Sequence, residues 1–178
     1  MTEGFMNTIT RALPVASILA ERRSWIILLG VLSATVTAHG QTSQFQTISL
    51  DGARALLHAA EQKAQQLSAP SSLAVVDAAG DLILFEQMEG ARRIGVDLAI
   101  GKARSAARFQ EATQTLEAGI NGGRPAAITA GAIQMDGGVP IRIGGGVVGA
   151  VGVSGLDHHN DIEIAEAAAA AVTQELAR

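Results

Sequence analysis

Apolar positions along the chain change their spacing several times, and each change predicts a different element. Over 49–67 they recur at helical spacing, and Ala69-Pro70 gives a stop signal. Two short apolar runs, 73–76 and 82–85, follow and are separated by a loop that contains Gly80. Because glycine readily adopts the left-handed conformation that closes short loops, these runs predict an antiparallel hairpin.

The second half of the chain continues this alternation. An alanine-rich helix is predicted over 94–109 and a short helical turn over 113–120. Strands are predicted over 139–143 and 147–153, and a final alanine-rich helix over 161–176. The order helix, hairpin, helix, strands, helix predicts an α+β domain, with helices packed on a mostly antiparallel sheet of about five strands.

Composition narrows the classes of function. Of the 178 residues, 48% are hydrophobic but only 3% are aromatic, so the core must be built from many small side chains. The chain has no cysteine, which excludes disulfides, thiolate nucleophiles, zinc ribbons and iron–sulfur clusters. A net charge of −4 argues against a nucleic-acid partner, since no basic stripe is available to contact phosphates.

The N-terminal residues 1–40 have the pattern of a targeting segment. The basic pair Arg22-Arg23 precedes an apolar run at 25–32, and small residues follow at 33–40. This pattern predicts a secretory signal, because the apolar run is shorter than the ~20 residues of a membrane span. An uncleaved anchor is the main alternative, and Sec and twin-arginine routes both stay open. We expect a periplasmic or secreted domain, 41–178, without stable membrane association after cleavage.

Two glycine motifs are interpreted as structural. Residues 144–149 match the G-x-G-x-x-G pattern, but a strand follows where a phosphate-binding loop needs a helix. We therefore expect a hairpin turn there. Residues 152–156 resemble a nucleophile elbow, yet Leu156 replaces its last glycine and no helix directly follows Ser154. The sequence thus argues against an acyl-serine hydrolase.

Polar residues converge after the last predicted strand. His158 and His159 lie beside Asp157 and Asp161 at the start of the final helix. Imidazole beside carboxylate can bind a metal, ligate haem iron or shuttle protons near neutral pH. Ser154, His158 and Asp161 are therefore candidate catalytic residues for proton transfer on a small organic acid. The alternative is an ordinary polar helix start with Asp157 or Asn160 as the cap.

Four further residues are candidates for holding a cofactor. His58 lies on the outward face of the first helix, where it is either solvated or a ligand to a cofactor held between subunits. Lys102, Arg104 and Arg108 lie on the second long helix. These three cations suit the binding of a propionate or another carboxylate, with ordinary surface charges as the alternative.

The end of the first hairpin carries a candidate cation site. Glu86 and Glu89 form an E-x-x-E pair, whose spacing suits a metal ion if the backbone turns there. A solvated rim is the alternative. Met88 and Met135 are expected to pack in the structure rather than to act as axial ligands.

Six blocks of the chain share their order and spacing with a known family: 75–82, 88–91, 102–109, 137–141, 149–155 and 161–165. Over about 50–172 the chain resembles the GlcG/HbpS family, which includes the haem-degrading and PduO C-terminal-like domains. The resemblance implies a compact α+β sandwich that commonly assembles into homo-oligomers. The chain departs from the family pattern at 87–89, where Gln-Met-Glu replaces the usual Arg-Met-Asp.

What the resemblance implies about function is less specific. Some relatives are exported and bind haem, with roles in its degradation or sensing, and others accompany cobalamin or glycolate metabolism. The expectation is an exported, homo-oligomeric protein that binds haem or another tetrapyrrole. The alternative is an enzyme or accessory protein that acts on a small organic acid. The shared blocks carry no haem ligand, so His58, His158 and His159 stay as candidates.

Overall fold

The computed structural model describes residues 45–176, and its centre is a four-stranded antiparallel sheet. In chain order the elements are helix α1 (Leu50–Gln66), strands β1 (Ser72–Asp77) and β2 (Leu82–Gln87), helices α2 (Gly95–Phe109) and α3 (Thr113–Asn121), a 3-10 helix (Pro125–Ala130), strands β3 (Gly138–Ile143) and β4 (Gly146–Ser154), and helix α4 (His158–Leu176). The strands lie in the order β2-β1-β4-β3. The predicted signal segment, 1–40, lies outside the described residues. No helix within 45–176 is both long and apolar enough to cross a membrane.

The α+β architecture is confirmed, but the prediction of about five strands is wrong, since the described residues contain four. The stretch between α2 and β3 contributes no strand. It forms α3 and the 3-10 helix, which begins at Pro125 because proline has a fixed φ and no N–H to donate. Helix α4 begins at His158, three residues earlier than predicted, so the adjacent histidines belong to its first turn.

Both hairpins close through glycines with positive φ. Gly80 has a φ of 90° in the β1–β2 turn, where the Asp77 carboxylate accepts N–H groups from Ala79 at 2.9 Å and Asp81 at 2.8 Å. Gly144 and Gly145 have φ values of 58° and 85° between β3 and β4. The interpretation of 144–149 as a hairpin turn is confirmed, since no helix follows these glycines.

Side chains alternate across the sheet and build a separate core on each face. Helices α1 and α4 cover one face, with Leu73, Val75, Val151 and Val153 pointing into a core of larger aliphatic side chains. Helix α2 covers the other face, and that core contains mainly alanine: Ala74, Val76, Ala99, Ala103, Ala106, Ala107 and Ala150. The low aromatic content of the chain therefore matches two aliphatic cores.

Helix α2 approaches the sheet closely at Gly152, in strand β4. A Cβ atom built on Gly152 would lie 2.1 Å from the carbonyl oxygen of Ala99 and 2.6 Å from the amide nitrogen of Ala103. Both atoms belong to the α2 backbone and cannot be moved aside by changing a rotamer. The missing side chain of Gly152 thus sets the distance between α2 and β4.

Candidate functional site

A buried ion pair lies where β4 ends. The ammonium of Lys102, on α2, donates to the Asp161 carboxylate at 2.8 Å and to the carbonyl oxygen of Val153 at 2.9 Å. The two charged side chains are only 2% and 4% exposed. The pair connects α2, which covers one face of the sheet, with α4, which covers the other.

Glycines supply the space and the remaining hydrogen bond for this pair. The second carboxylate oxygen of Asp161 accepts the N–H of Gly155 at 2.6 Å. A Cβ atom on Gly137 would lie 2.9 Å from the Asp161 Cβ and 3.2 Å from the Lys102 Nζ. Because the ammonium of Lys102 is buried and already donates to two acceptors, it is not presented to a ligand. For the same reason, the Asp161 carboxylate is not presented as a base.

The adjacent histidines lie on the surface beside this pair. His158 and His159 are exposed, and the centroids of their rings are 4.1 Å apart. The Asp157 carboxylate accepts the N–H of His159 at 3.0 Å, as expected for the cap of α4. Leu156, two residues before His158, is 73% exposed. The start of α4 therefore presents two imidazoles next to an exposed apolar side chain.

A third carboxylate lies behind the exposed imidazoles. Asp136 is only 8% exposed, and its backbone N–H donates to the Glu117 carboxylate at 2.8 Å. Burial, and next the charge of Glu117, raise the pKa of Asp136, while His158 and Lys102 act in the opposite direction. Nothing in the sequence pattern pointed to Asp136, because its burial depends on contacts with the distant helix α3.

His58 occupies a different surface. It lies on the exposed side of α1, and its Nε2 is 3.0 Å from the side-chain nitrogen Nε2 of Gln62. An exposed ion pair at 2.7 Å lies earlier on the same helix. It joins Arg54, one turn before His58, to Asp51, two turns before His58. A ligand at His58 would therefore meet polar neighbours on its own chain.

Arg104 and Arg108 lie at the opposite end of the sheet from the adjacent histidines. Their Nε groups donate to the carbonyl oxygens of Gly80 and Ala79, each at 3.0 Å, and thereby fix the β1–β2 turn. In the β1–β4 pairing, Ser72 lies opposite Ser154, whereas the turn end of β1 lies opposite Gly149. Arg104 and Arg108 are therefore not brought together with His158 and His159, whereas Lys102 lies near the histidines but is buried in its pair with Asp161.

The remaining predicted residues are separated as well. Ser154 is the last residue of β4 and is 3% exposed, whereas His158 faces solvent. Glu86 lies in β2, and Glu89 follows that strand on the surface. Across residues 45–176, no group of three or more His, Cys, Asp or Glu side chains is arranged to hold a metal ion. The cation site at Glu86 and Glu89 stays a prediction.

A sequence signal for the ion pair was nevertheless available. Lys102 shares the helical face of Ala99, Ala103 and Ala106, which are all fully buried. A lysine on a buried face requires a partner, because an unpaired buried charge is strongly unfavourable. That partner comes from 59 positions further along the chain, and helical spacing cannot identify it.

Together these elements define an α+β sandwich, with two helices on one face of an antiparallel sheet and one on the other, joined by a buried lysine–aspartate pair. Residues 48–170 match the family described as haem degrading protein HbpS-like. The chain belongs to this family.

Three relatives show how far the similarity extends. Protein GlcG of Escherichia coli (strain K12) is 36% identical over 108 residues, which span 60% of this chain and 81% of GlcG. A double mutant of Streptomyces reticuli HbpS superimposes with a TM-score of 0.69 at 26% identity, covering 76% of this chain and 94% of HbpS. The PduOC:heme complex superimposes with a TM-score of 0.64 at 29% identity, covering 70% and 94% of the two chains. Haem binding is therefore represented within the family.

Proposed function

We propose that this protein is an exported, homo-oligomeric haem-binding or tetrapyrrole-binding protein that acts in haem degradation or sensing. The observation that carries the proposal is the start of α4, where two exposed imidazoles lie beside the exposed side chain of Leu156. The membership in a haem-degrading family and the haem-bound PduOC relative support the same ligand.

The donor atoms at this site fit haem. The chain has no cysteine or tyrosine, so its strong axial donor is imidazole nitrogen. The neutral form of imidazole is the one that ligates iron, and His158 and His159 present their rings from the first turn of α4. When bound, haem supplies the redox-active iron, and this chain supplies a nitrogen ligand and an apolar surface.

The propionates of haem require cations, and two exposed arginines precede α2. Gly95 lies against the end of β4, since a Cβ atom on it would be 3.2 Å from the carbonyl oxygen of Ser154. Arg92 and Arg93 come directly before this contact, and both are exposed. These arginines therefore replace Lys102, Arg104 and Arg108 in the proposal as the propionate partners.

A second copy of the chain completes the proposed site. Both imidazoles lie on the surface, so one chain would leave much of an apolar macrocycle in water. A second subunit would cover the exposed part of the macrocycle. Because His58 also lies on the surface, it stays an alternative ligand for a haem held between subunits. Light scattering of the protein with and without hemin measures the subunit number that this arrangement requires.

Absorbance titration of the mature protein with hemin tests the proposal. We expect a saturable Soret shift, with at most one haem per chain. The variant His158→Ala/His159→Ala should lose the shift, and His58→Ala is the matched control that should retain it. Loss only in His58→Ala would move the site to α1. No shift in the unaltered protein, or the same shift in both variants, would refute histidine ligation.

Export is tested on the protein purified from the periplasm or medium of its own host. Intact mass spectrometry should show a chain that begins after Ala38 or Gly40. A full-length chain confined to the cytoplasm would contradict export while leaving the haem titration unaffected.

A further inference from the structure

A cavity of about 540 Å³ lies between the end of α2, helix α3 and the 3-10 helix. Its apolar wall is formed by Phe109, Leu116, Ala127 and Ala130. None of its lining residues is a histidine, so it is separate from the proposed haem site. Its size falls within the range of about 300–1,000 Å³ that is typical of small-molecule sites.

One buried amide lines this cavity with an unused acceptor. The Gln134 side chain donates its NH₂ group to the carbonyl oxygen of Ala127 at 2.7 Å, which fixes the orientation of the amide. Gln134 is only 7% exposed, yet within residues 45–176 its carbonyl oxygen accepts no hydrogen bond. A ligand in the cavity can therefore meet a preoriented polar group.

The charges around the cavity favour an anion. Arg124 lines it, and a neighbouring cavity of about 210 Å³, which shares Phe109 and Ala130, is lined by Arg104 and Arg108. Among the ion pairs of residues 45–176, none includes these three arginines. Glu111 is the one acidic residue that lines either cavity, so the combined lining is net positive on a chain of net charge −4. Such a local field concentrates anions.

We propose that these two cavities form a binding site for a small organic carboxylate with an aromatic or aliphatic body. The body packs against Phe109 and Leu116, the carboxylate pairs with Arg124, and Gln134 accepts a hydrogen bond from any N–H or O–H donor on the ligand. Arg104 and Arg108 are held by the β1–β2 turn through Nε, so they contribute positive charge from fixed positions.

Calorimetric titration of the full chain with indole-3-acetate, phenylacetate and octanoate tests this site. We expect a Kd of about 1 mM or tighter for at least one of these carboxylates. The matched neutral ligand, indole-3-acetamide, has the same shape as indole-3-acetate without the charge. It should bind about tenfold more weakly, because hydrogen bonds to charged groups are the stronger ones.

Two variants test the location of the site. Gly119 lines the cavity on α3, and a Cβ atom there would meet nothing within 4 Å, so Gly119→Leu is chosen to place a larger side chain at the cavity wall. This variant should lose carboxylate binding, and Arg124→Gln should weaken it about tenfold. Arg54→Gln is the matched control, because Arg54 lies on α1 and pairs with Asp51.

Each outcome decides the proposal. Lack of saturable binding by all three carboxylates would overturn it, as would unaltered affinity in Gly119→Leu or equal affinity for the acid and the amide. Hemin binding should be unaffected in Gly119→Leu, because the proposed haem site lies at the start of α4. Failure of one site therefore leaves the test of the other intact.

Discussion

The buried ion pair gives the sharpest quantitative prediction for this fold. Replacing Asp161 with asparagine keeps the shape of the side chain and an acceptor for the Gly155 N–H. It leaves the Lys102 ammonium buried, with only the carbonyl oxygen of Val153 at 2.9 Å. Breaking a buried pair by removing one partner costs about 3–5 kcal/mol. We therefore expect the free energy of unfolding to fall by this amount in Asp161→Asn.

The double variant Lys102→Met/Asp161→Asn isolates the cause. Removal of both charges leaves no uncompensated ion, so the double variant should be more stable than Asp161→Asn alone. The matched control is Lys63→Met, because Lys63 also pairs with a carboxylate of α4, that of Glu163 at 2.6 Å. The two side chains of that pair are 25% and 53% exposed. Partly exposed pairs contribute less than about 1 kcal/mol, so this variant should be nearly unaffected.

Urea unfolding followed by far-ultraviolet circular dichroism measures these differences. Fluorescence is unsuitable, since the only tryptophan, Trp25, lies in the predicted signal segment and the chain has no tyrosine. With a slope of about 2 kcal/mol per molar urea, Asp161→Asn should lower the midpoint by roughly 2 M. A shift no larger than that of Lys63→Met, or a double variant less stable than the single one, would refute the reasoning.

Three other predictions concern single side chains. Gly152→Ala should lower the free energy of unfolding by about 3 kcal/mol or more, because its Cβ would overlap the α2 backbone. Gly119→Ala should raise the free energy of unfolding by up to about 1 kcal/mol. Equal melting temperatures for the two variants would contradict this contrast. Burial and the charge of Glu117 raise the pKa of Asp136 above its value in the unfolded chain, so folding favours the protonated carboxyl group. The stability that this carboxyl contributes is present below the unfolded pKa and is lost as pH rises through the folded pKa. Asp136→Asn should therefore raise the urea midpoint at pH 7 and raise it less at pH 4.5, and a pH-independent gain would exclude this explanation. Gly80→Ala should cost about 1–2 kcal/mol in thermal unfolding, since its φ is 90° and its Cβ would lie 2.8 Å from the Arg108 Nε; an unchanged melting temperature would show that the turn relaxes freely.

Local spacing predicted the main elements well. The bounds of α1, β1, β2 and α2 follow from apolar periodicity and from stop signals such as Ala69-Pro70, because these features act within a few residues. The positive φ of Gly80 follows from its place in a short hairpin loop. The 3-10 helix was not predicted, since the structure buries none of its residues and its sequence therefore carries no apolar period.

The candidate site was harder to predict, because it depends on contacts between distant segments. Lys102 and Asp161 are 59 positions apart, and their pairing also requires the absence of a side chain at Gly137. Arg104 and Arg108 could be placed on a helix, but which end of the sheet they reach depends on the direction in which α2 crosses it. Family resemblance supplied the fold that fixes this direction. The resemblance did not identify which of the histidines would bind a ligand.

The ion pair also bears on how the two helical layers separate when the protein opens. The core beneath α2 consists largely of alanine side chains, which bury little apolar surface each, so it gives α2 limited independent stability. Lys102 fixes α2 to α4 on the opposite face, so detaching either helix breaks this ion pair, and detaching α2 also breaks the hydrogen bond to Val153. The two layers should therefore be lost in one cooperative step, and amide hydrogens in α2 should exchange with solvent as slowly as those in the body of α4.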